Sequence, residues 1–156
     1  SLRAGGQFTD YYNDPNADKS TTPWVSASLS YEYAPGSNLR LGVTHMLSQT
    51  DVVAPDPVTG SITTDQQATV LYGMLRHRIT PNLTGSLSGS MQISEFNGGT
   101  YDKLSETYYD AGVNFTYRFN NHLSGEVGYN FSTLSSDIPG RDYDRNRVYI
   151  GVIAAY

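Results

Sequence analysis

Apolar and polar residues alternate along most of this chain with a period of two. From Leu123 to Phe131, every second residue is Leu, Gly, Val, Tyr or Phe, and the residues between them are Ser, Glu, Gly and Asn. The same alternation runs from Tyr109 to Phe119 and from Leu83 to Ile93. Because successive side chains of a β-strand point to opposite faces, the pattern predicts strands with one apolar and one polar face.

Turn-forming residues divide this pattern into eight segments. We predict strands at 2–12, 24–34, 39–50, 66–79, 83–95, 106–119, 123–134 and 146–156. The seven prolines lie outside these segments or at their ends, as expected of a residue that cannot donate to a β-ladder. In the fourth segment, comparison of the hairpins assigns Leu71, Leu75 and Ile79 to the apolar face, and it assigns Tyr72, Met74, Arg76 and Arg78 to the polar face.

The connections between the predicted strands alternate in length. Short turns lie near 35–38, 80–82 and 120–122, whereas longer polar loops lie at 13–23, 51–65, 96–105 and 135–145. This alternation is typical of outer-membrane barrels, in which the short turns are periplasmic and the longer loops are extracellular. The sequence therefore predicts an all-β fold, an eight-stranded antiparallel up-and-down transmembrane β-barrel.

The composition of the polar face favours a membrane barrel over a soluble one. Charged residues make up 16% of the chain, and its two lysines, Lys19 and Lys103, both lie in predicted loops. A soluble barrel would turn its polar face to water and would carry more Lys and Glu there. Here that face is mostly Ser, Thr, Gly, Asn and Gln, which are small enough to pack inside a narrow barrel. We therefore expect the apolar face to contact lipid.

The charges predicted on the polar face are mixed in sign. Because buried charges need partners, we predict a lumen charge network in which arginines and acids can pair. In a closed eight-stranded barrel these groups would fill the lumen, whereas in a wider barrel the arginines would line a pore and favour anions. The members of the predicted network are Arg3, Glu32, Arg40, Arg76, Arg78, Asp110, Arg118, Glu126 and Arg147.

Aromatic residues on the apolar face cluster toward the two ends of the strands. Outer-membrane barrels carry aromatic girdles of this kind at both membrane interfaces. The predicted girdle consists of Tyr31, Tyr33, Tyr117, Phe119, Tyr129, Phe131 and Tyr156.

The end of the chain resembles known outer-membrane proteins. The segment from Tyr149 to Tyr156 is similar to their C-terminal assembly signal, although Ala154 stands where an aromatic or larger apolar residue is usual. The last hairpins, 117–131 and 145–156, resemble the β-barrel porins of Gram-negative bacteria known as β-barrel porin 2. This resemblance implies a location in the bacterial outer membrane and contact with its lipids and lipopolysaccharide. It also implies recognition by the barrel assembly machinery through the C-terminal strand.

The three histidines do not predict catalysis. His45 and His77 are expected to face lipid and His122 to lie in a short turn, and none has an acid and a nucleophile at a recognisable spacing. We therefore predict that the protein is not an enzyme, has no catalytic residues and needs no cofactor. A lipid-modifying outer-membrane enzyme is the alternative that these histidines leave open.

Metal and nucleic-acid binding are also not predicted. Residues 14–18 open like a calcium-binding loop, but Lys19 stands where the loop needs glycine and Val25 where it needs a bidentate glutamate. The chain has no cysteine, so a thiolate metal site is excluded. A net charge of −5 without a basic stripe argues against nucleic acid as a partner.

Two functional hypotheses follow for a single barrel domain at 1–156, which is either a whole barrel or the C-terminal part of a larger one. The first is a structural or surface-interaction role, which Ser86, Ser88 and Ser90 favour because small side chains suit a narrow interior. The second is passive transport, with this chain forming part of a larger porin.

Overall fold

The computed structural model describes residues 1–9, 20–50, 55–58, 60, 62–63 and 65–154. These residues form eight strands: β1 (Leu2–Thr9), β2 (Ser20–Ala34), β3 (Ser37–Gln49), β4 (Asp65–Arg78), β5 (Leu83–Asn97), β6 (Ser105–Arg118), β7 (Leu123–Ser136) and β8 (Tyr143–Ala154). One 3₁₀ turn, Gly99–Tyr101, lies between β5 and β6. In the part of the chain described, no helix is long and apolar enough to cross a membrane.

The strands form one antiparallel sheet in which each strand pairs with its neighbour along the chain, from β1 to β8. The predicted all-β fold of eight antiparallel up-and-down strands is thereby confirmed. The predicted strand ends at 10–12 and 155–156, with Tyr156 of the girdle, lie outside the described residues, as do residues 14–18 of the calcium-like segment.

The largest differences from the predicted strand bounds are at the long-loop end. Strand β7 continues to Ser136 and β8 begins at Tyr143, so the predicted loop at 135–145 is reduced to 137–142. Strand β2 begins at Ser20, and the prediction that Pro23 lies outside the strand is wrong. Pro23 pairs with Gly6 of β1, whereas the ladder between β2 and β3 ends at Val25. Beyond Val25, back to Ser20, no ladder among the described residues joins this side of β2 to β3, so a residue without an N–H group is tolerated there.

The short turns close the hairpins with local hydrogen bonds. Residues 79–83 and 119–123 share one arrangement, because the backbone N–H groups of Ile79 and Phe119 donate to the carbonyl oxygens of Leu83 and Leu123 at 2.9 and 3.0 Å. The turn between β2 and β3 is tighter, and it contains Gly36 at a φ of 76°, a conformation that favours glycine.

The strand register divides the sheet into an apolar face and a polar face. Leu71 pairs with Val43 on β3 and with Met91 on β5, and the same row of apolar residues continues toward β6. Tyr72, the next residue, pairs with Gly42 and Ser90 on the opposite face. The predicted faces of this strand are therefore confirmed. The apolar face is open to its surroundings, with Leu71 57% exposed.

Strands β1 and β8 form the two edges of the sheet. Within the described residues, no ladder joins β8 back to β1. Consistent with an unpaired edge, β8 is exposed along almost its whole length, on both faces. The N–H and C=O groups on the outer side of each edge are therefore available to another strand.

Candidate functional site

The polar face brings together all nine charged residues of the predicted lumen network. Cross-strand pairs place them on one face, as in the row that runs from Arg40 on β3 through Met74, Ser88 and Gly112 to Asn130 and Arg147. The network members on the other strands occupy the same face by the same register. The alternation in the sequence is sufficient to predict this placement.

The contacts of these charged groups are mainly hydrogen bonds to neutral partners. Asp110 accepts two hydrogen bonds from Asn130 Nδ2, at 3.0 and 3.1 Å. Glu32 Oε1 accepts a long one, 3.4 Å, from the backbone N–H of Gly36. Within the described residues, no ion pair shorter than 4 Å joins two of the nine. Their action as one network stays a prediction.

Three arginines cluster at the short-turn end of the polar face, in a concave region that we call the arginine cavity. Its volume is about 470 Å³, and Arg76, Arg78 and Arg118 line it. The remaining lining is neutral: Gly36, Asn38, Pro81, Asn82, Thr84, Thr116 and Ser124. Arg76 and Arg78 come from one face of β4, and Arg118 ends β6, so the strand pairing is what places them around one space.

A second concave region, the central cavity, lies along β4 to β8 and has a volume of about 720 Å³. It contains both signs of charge, because Asp110, Glu126, Arg145 and Arg147 all line it. Arg145 is a residue that the prediction missed, because it was assigned to a loop. It donates from Nε to Ser132 Oγ at 3.2 Å and lies on the polar face. The alternation that includes Arg147 could have been extended back to it.

Several described residues at the long-loop end of the sheet are buried or paired. Phe96 is fully buried, and Ile138 is almost so. Glu106 forms an ion pair with Arg141 at 3.2 Å. Between the loops, Thr63 Oγ1 donates to the carbonyl oxygen of Gly98 at 2.8 Å. Among the described residues, this end therefore contains buried side chains and cross-loop contacts, whereas the arginine cavity lies at the other end.

Asp137 connects the loop after β7 to the start of β6. Its Oδ2 accepts hydrogen bonds from the backbone N–H of Ser105 at 2.9 Å and from Ser105 Oγ at 2.8 Å. Both bonds favour the carboxylate, so they hold the pKa of Asp137 below its ordinary value, with the backbone bond contributing most.

We predict that Asp137 titrates below the ordinary pKa of an aspartate when the chain is folded. Because the pKa is lower in the folded state, its stabilising contribution is present above the unfolded-state pKa and is lost as the pH falls through the folded-state pKa. The carboxyl ¹³C shift of Asp137, followed against pH in micelles, measures this. Ser105→Ala should raise the midpoint only in part, because the backbone bond remains. A wild-type midpoint at the ordinary value would contradict the prediction.

The predicted girdle residues that the structure describes lie on the apolar face. Tyr117 and Phe119 contact each other edge to face, with ring centroids 5.2 Å apart. The Tyr33 ring stacks on the His77 ring, with ring centroids 5.9 Å apart. Tyr31, Tyr33, Tyr117, Phe119 and Tyr129 are all exposed, and Phe131 pairs with Ala111 on the same face. Their action as membrane-interface girdles stays a prediction.

Two of the histidines contact neutral side chains. His45 Nδ1 lies 2.8 Å from Thr69 Oγ1, and His77 Nδ1 lies 2.9 Å from Tyr33 Oη. His122 lies in the turn before β7, where its backbone N–H donates to Asn120 Oδ1. Within the described residues, no group of three or more His, Cys, Asp or Glu side chains is arranged to hold a metal ion.

Comparison with known proteins gives one family. The sequence model of a family described as putative beta-barrel porin 2 matches residues 4–156. No curated protein and no solved structure matches the chain significantly. The family match reaches all eight strands, and it confirms the resemblance inferred from the last hairpins.

Proposed function

Because this chain belongs to the beta-barrel porin 2 family, we propose that it forms part of the wall of a wider outer-membrane pore for passive transport of small solutes. The family supports an outer-membrane barrel protein, and porin-like barrels of this kind are generally non-enzymatic. Transport by this chain, as part of a barrel with more than eight strands, is the more specific step that we propose.

The observation that carries the proposal is the pair of sheet edges, β1 and β8, which no ladder joins within the described residues. In hydrocarbon, each unsatisfied backbone group costs several kcal/mol, so both edges need partner strands. If further strands supply that pairing, the barrel is wider than eight strands. Barrels with about 16–18 strands enclose an aqueous channel, whereas eight strands leave an interior just wide enough for side chains. The open polar face would then line water.

The apolar face supports placement in the outer membrane, with lipid and lipopolysaccharide as its surroundings. Leu71, Leu87 and Ile150 are exposed there at 57%, 56% and 82%. Such side chains favour hydrocarbon over water. The edge of β8 also offers a free backbone for recognition by the barrel assembly machinery during insertion.

A structural or surface-interaction role is the second candidate, and hydrogen bonds between described loop residues favour it. Thr100 Oγ1 donates to the carbonyl oxygen of Pro55 at 2.7 Å, which ties two of the loops together. Phe96, at the end of β5, is fully buried at the same end of the sheet, which is the side predicted to be extracellular.

We predict that the folded chain gives steady open conductance in a planar bilayer, by assembling into a barrel with more strands. The chain would be folded in detergent micelles, sized, examined for heat-modified gel mobility and then added to the bilayer. Oligomers with discrete openings are the expected result. A compact, heat-modifiable monomer without conductance would contradict transport and would indicate a closed eight-stranded barrel, leaving the structural or surface-interaction role.

A further inference from the structure

We propose that the arginine cavity binds the carboxylate or phosphate group of a small anionic solute. This inference rests on the proposed transport function, because it names the class of solute that would enter the pore. The site consists of Arg76, Arg78 and Arg118 with their neutral neighbours, at the end of the polar face beside the short turns.

The charge inside the cavity is positive and is not balanced by an acid in its lining. Three guanidinium groups line the space and no Asp or Glu does. Two acids of the polar face, Glu32 and Glu126, lie on strands beside the cavity, but neither is part of its lining. Glu32 Oε1 accepts a long hydrogen bond, 3.4 Å, from the backbone N–H of Gly36 at the edge of the cavity, and Glu126 lines the central cavity instead. The lining of the cavity is therefore cationic, with three guanidinium groups and no carboxylate.

The backbone and its packing restrict two of these arginines. Arg118 Nη2 donates to the carbonyl oxygen of Pro81 at 3.3 Å, which anchors its guanidinium beside the turn. The backbone N–H of Arg78 donates to Ser37 Oγ at 3.0 Å, and the Arg78 side chain passes close to Gly36, with Cδ 3.2 Å from the place of a Cβ there. These contacts leave most guanidinium N–H groups free for a ligand.

The chemistry of the lining selects oxyanions. A guanidinium group presents parallel N–H donors that match the geometry of a carboxylate or a phosphate. Asn38, Asn82, Thr84 and Thr116 add neutral donors and acceptors for the rest of a polar solute. A volume of about 470 Å³ is suited to a small molecule.

The position of the cavity favours a free solute over a lipid headgroup. Arg78 pairs with Thr84, which pairs with Thr116, and all three lie on the polar face, opposite the side that meets lipid. A lipid phosphate on the apolar side would have to cross the sheet to reach this cavity.

The test compares two triple variants that remove the same charge from the same face. The cavity variant is Arg76→Gln, Arg78→Gln and Arg118→Gln. The matched control is Arg3→Gln, Arg40→Gln and Arg147→Gln, which lie on the polar face but do not line the arginine cavity. Binding of inorganic phosphate, and separately of succinate, is measured by calorimetry on protein folded in uncharged, phosphate-free detergent. Heat-modified gel mobility verifies that each variant is folded.

We expect the cavity variant to bind at least about tenfold more weakly than wild type, because charge-assisted hydrogen bonds are lost. The control should change affinity by less than about threefold, since none of its three arginines lines the cavity and their charges act only through a screened field. A third variant with lysine at the three cavity positions should bind with intermediate affinity, because it keeps the charge but loses the paired donors. This variant also tests the site if the glutamine variant fails to fold.

The outcomes separate the site from the transport function. Equal loss of binding in the cavity variant and its control would overturn the site, because binding would then follow total charge. Failure of wild type to bind either anion would also overturn it, even if the chain conducts. Specific binding without conductance in bilayers would support the site and contradict transport. Adding phospholipid micelles as competitor identifies the ligand source: displacement of phosphate by them would overturn our assignment to a free solute.

Discussion

Replacing Leu87 with lysine is expected to destabilise the folded protein in a bilayer by about 2–4 kcal/mol, the cost of a lysine on the lipid face near the membrane centre. Leu87 lies on the apolar face of β5, where it pairs with Leu75 on β4 and with Val113 on β6. Its side chain is 56% exposed, so it contacts the surroundings directly. Reversible urea unfolding in vesicles of defined thickness measures the loss of free energy of unfolding.

The adjacent residue provides the matched control. Ser88→Lys places the same side chain on the opposite face, where Ser88 lines the central cavity with Asp110 and Glu126. An ammonium group there can contact water or a carboxylate, so the expected loss of unfolding free energy is below about 1 kcal/mol. If Ser88→Lys were the more damaging change, the polar face would be the one that is packed away from water, and lipid contact by the apolar face would be wrong.

The strands and their faces were predictable because both depend on local patterns. Alternation fixes which side chains share a face, and Gly, Pro and Asn mark the turns. The long-loop ends were less predictable, because cross-strand hydrogen bonding extends the strands there without an apolar pattern. Ser135 and Ser136 of β7 pair with Thr107 and Glu106 of β6 in this way. No alternation of apolar residues distinguishes such a segment from a polar loop.

The candidate site was predictable only in part, for a similar reason. The alternation of residues along each strand places Arg78 and Arg118 on the polar face. Whether they line the same cavity depends on the register of β4, β5 and β6. The alternation also does not show whether an acid on that face forms an ion pair with an arginine. Glu126, for example, lines the central cavity with Arg147, but no ion pair joins them in the described residues. Whether β8 pairs with β1 is likewise independent of alternation, because the pattern is the same in narrow and wide barrels.

Two tyrosines on the polar face lie directly over glycines of the neighbouring strand. Tyr72 on β4 covers Gly42 on β3, and Tyr149 on β8 covers Gly128 on β7. Both glycines are buried although neither has a side chain. A Cβ at either glycine would overlap the tyrosine ring. The Tyr149 ring crosses Gly128 and reaches β6, where its Oη accepts a hydrogen bond from Asn114 Nδ2 at 2.9 Å. One side chain thereby connects three strands.

We therefore expect Gly128→Val to cost about 1–3 kcal/mol of unfolding free energy, as the insertion of extra bulk into a packed position does. The valine would displace the Tyr149 ring and break its hydrogen bond with Asn114. Urea unfolding in vesicles measures this change. Gly89→Val is the matched control, because a Cβ at Gly89 meets no atom closer than 3.8 Å, and its effect should stay within about 0.5 kcal/mol.

A double-mutant cycle distinguishes the ring contact from a general intolerance of valine at this position. In a Tyr149→Ala background the ring is absent, so Gly128→Val should lose most of its cost, since β-branched residues suit strands. An unchanged cost in that background would mean that the backbone of β7, rather than the Tyr149 ring, requires glycine. The hydrogen bond across three strands would then contribute little to holding β8 against the sheet.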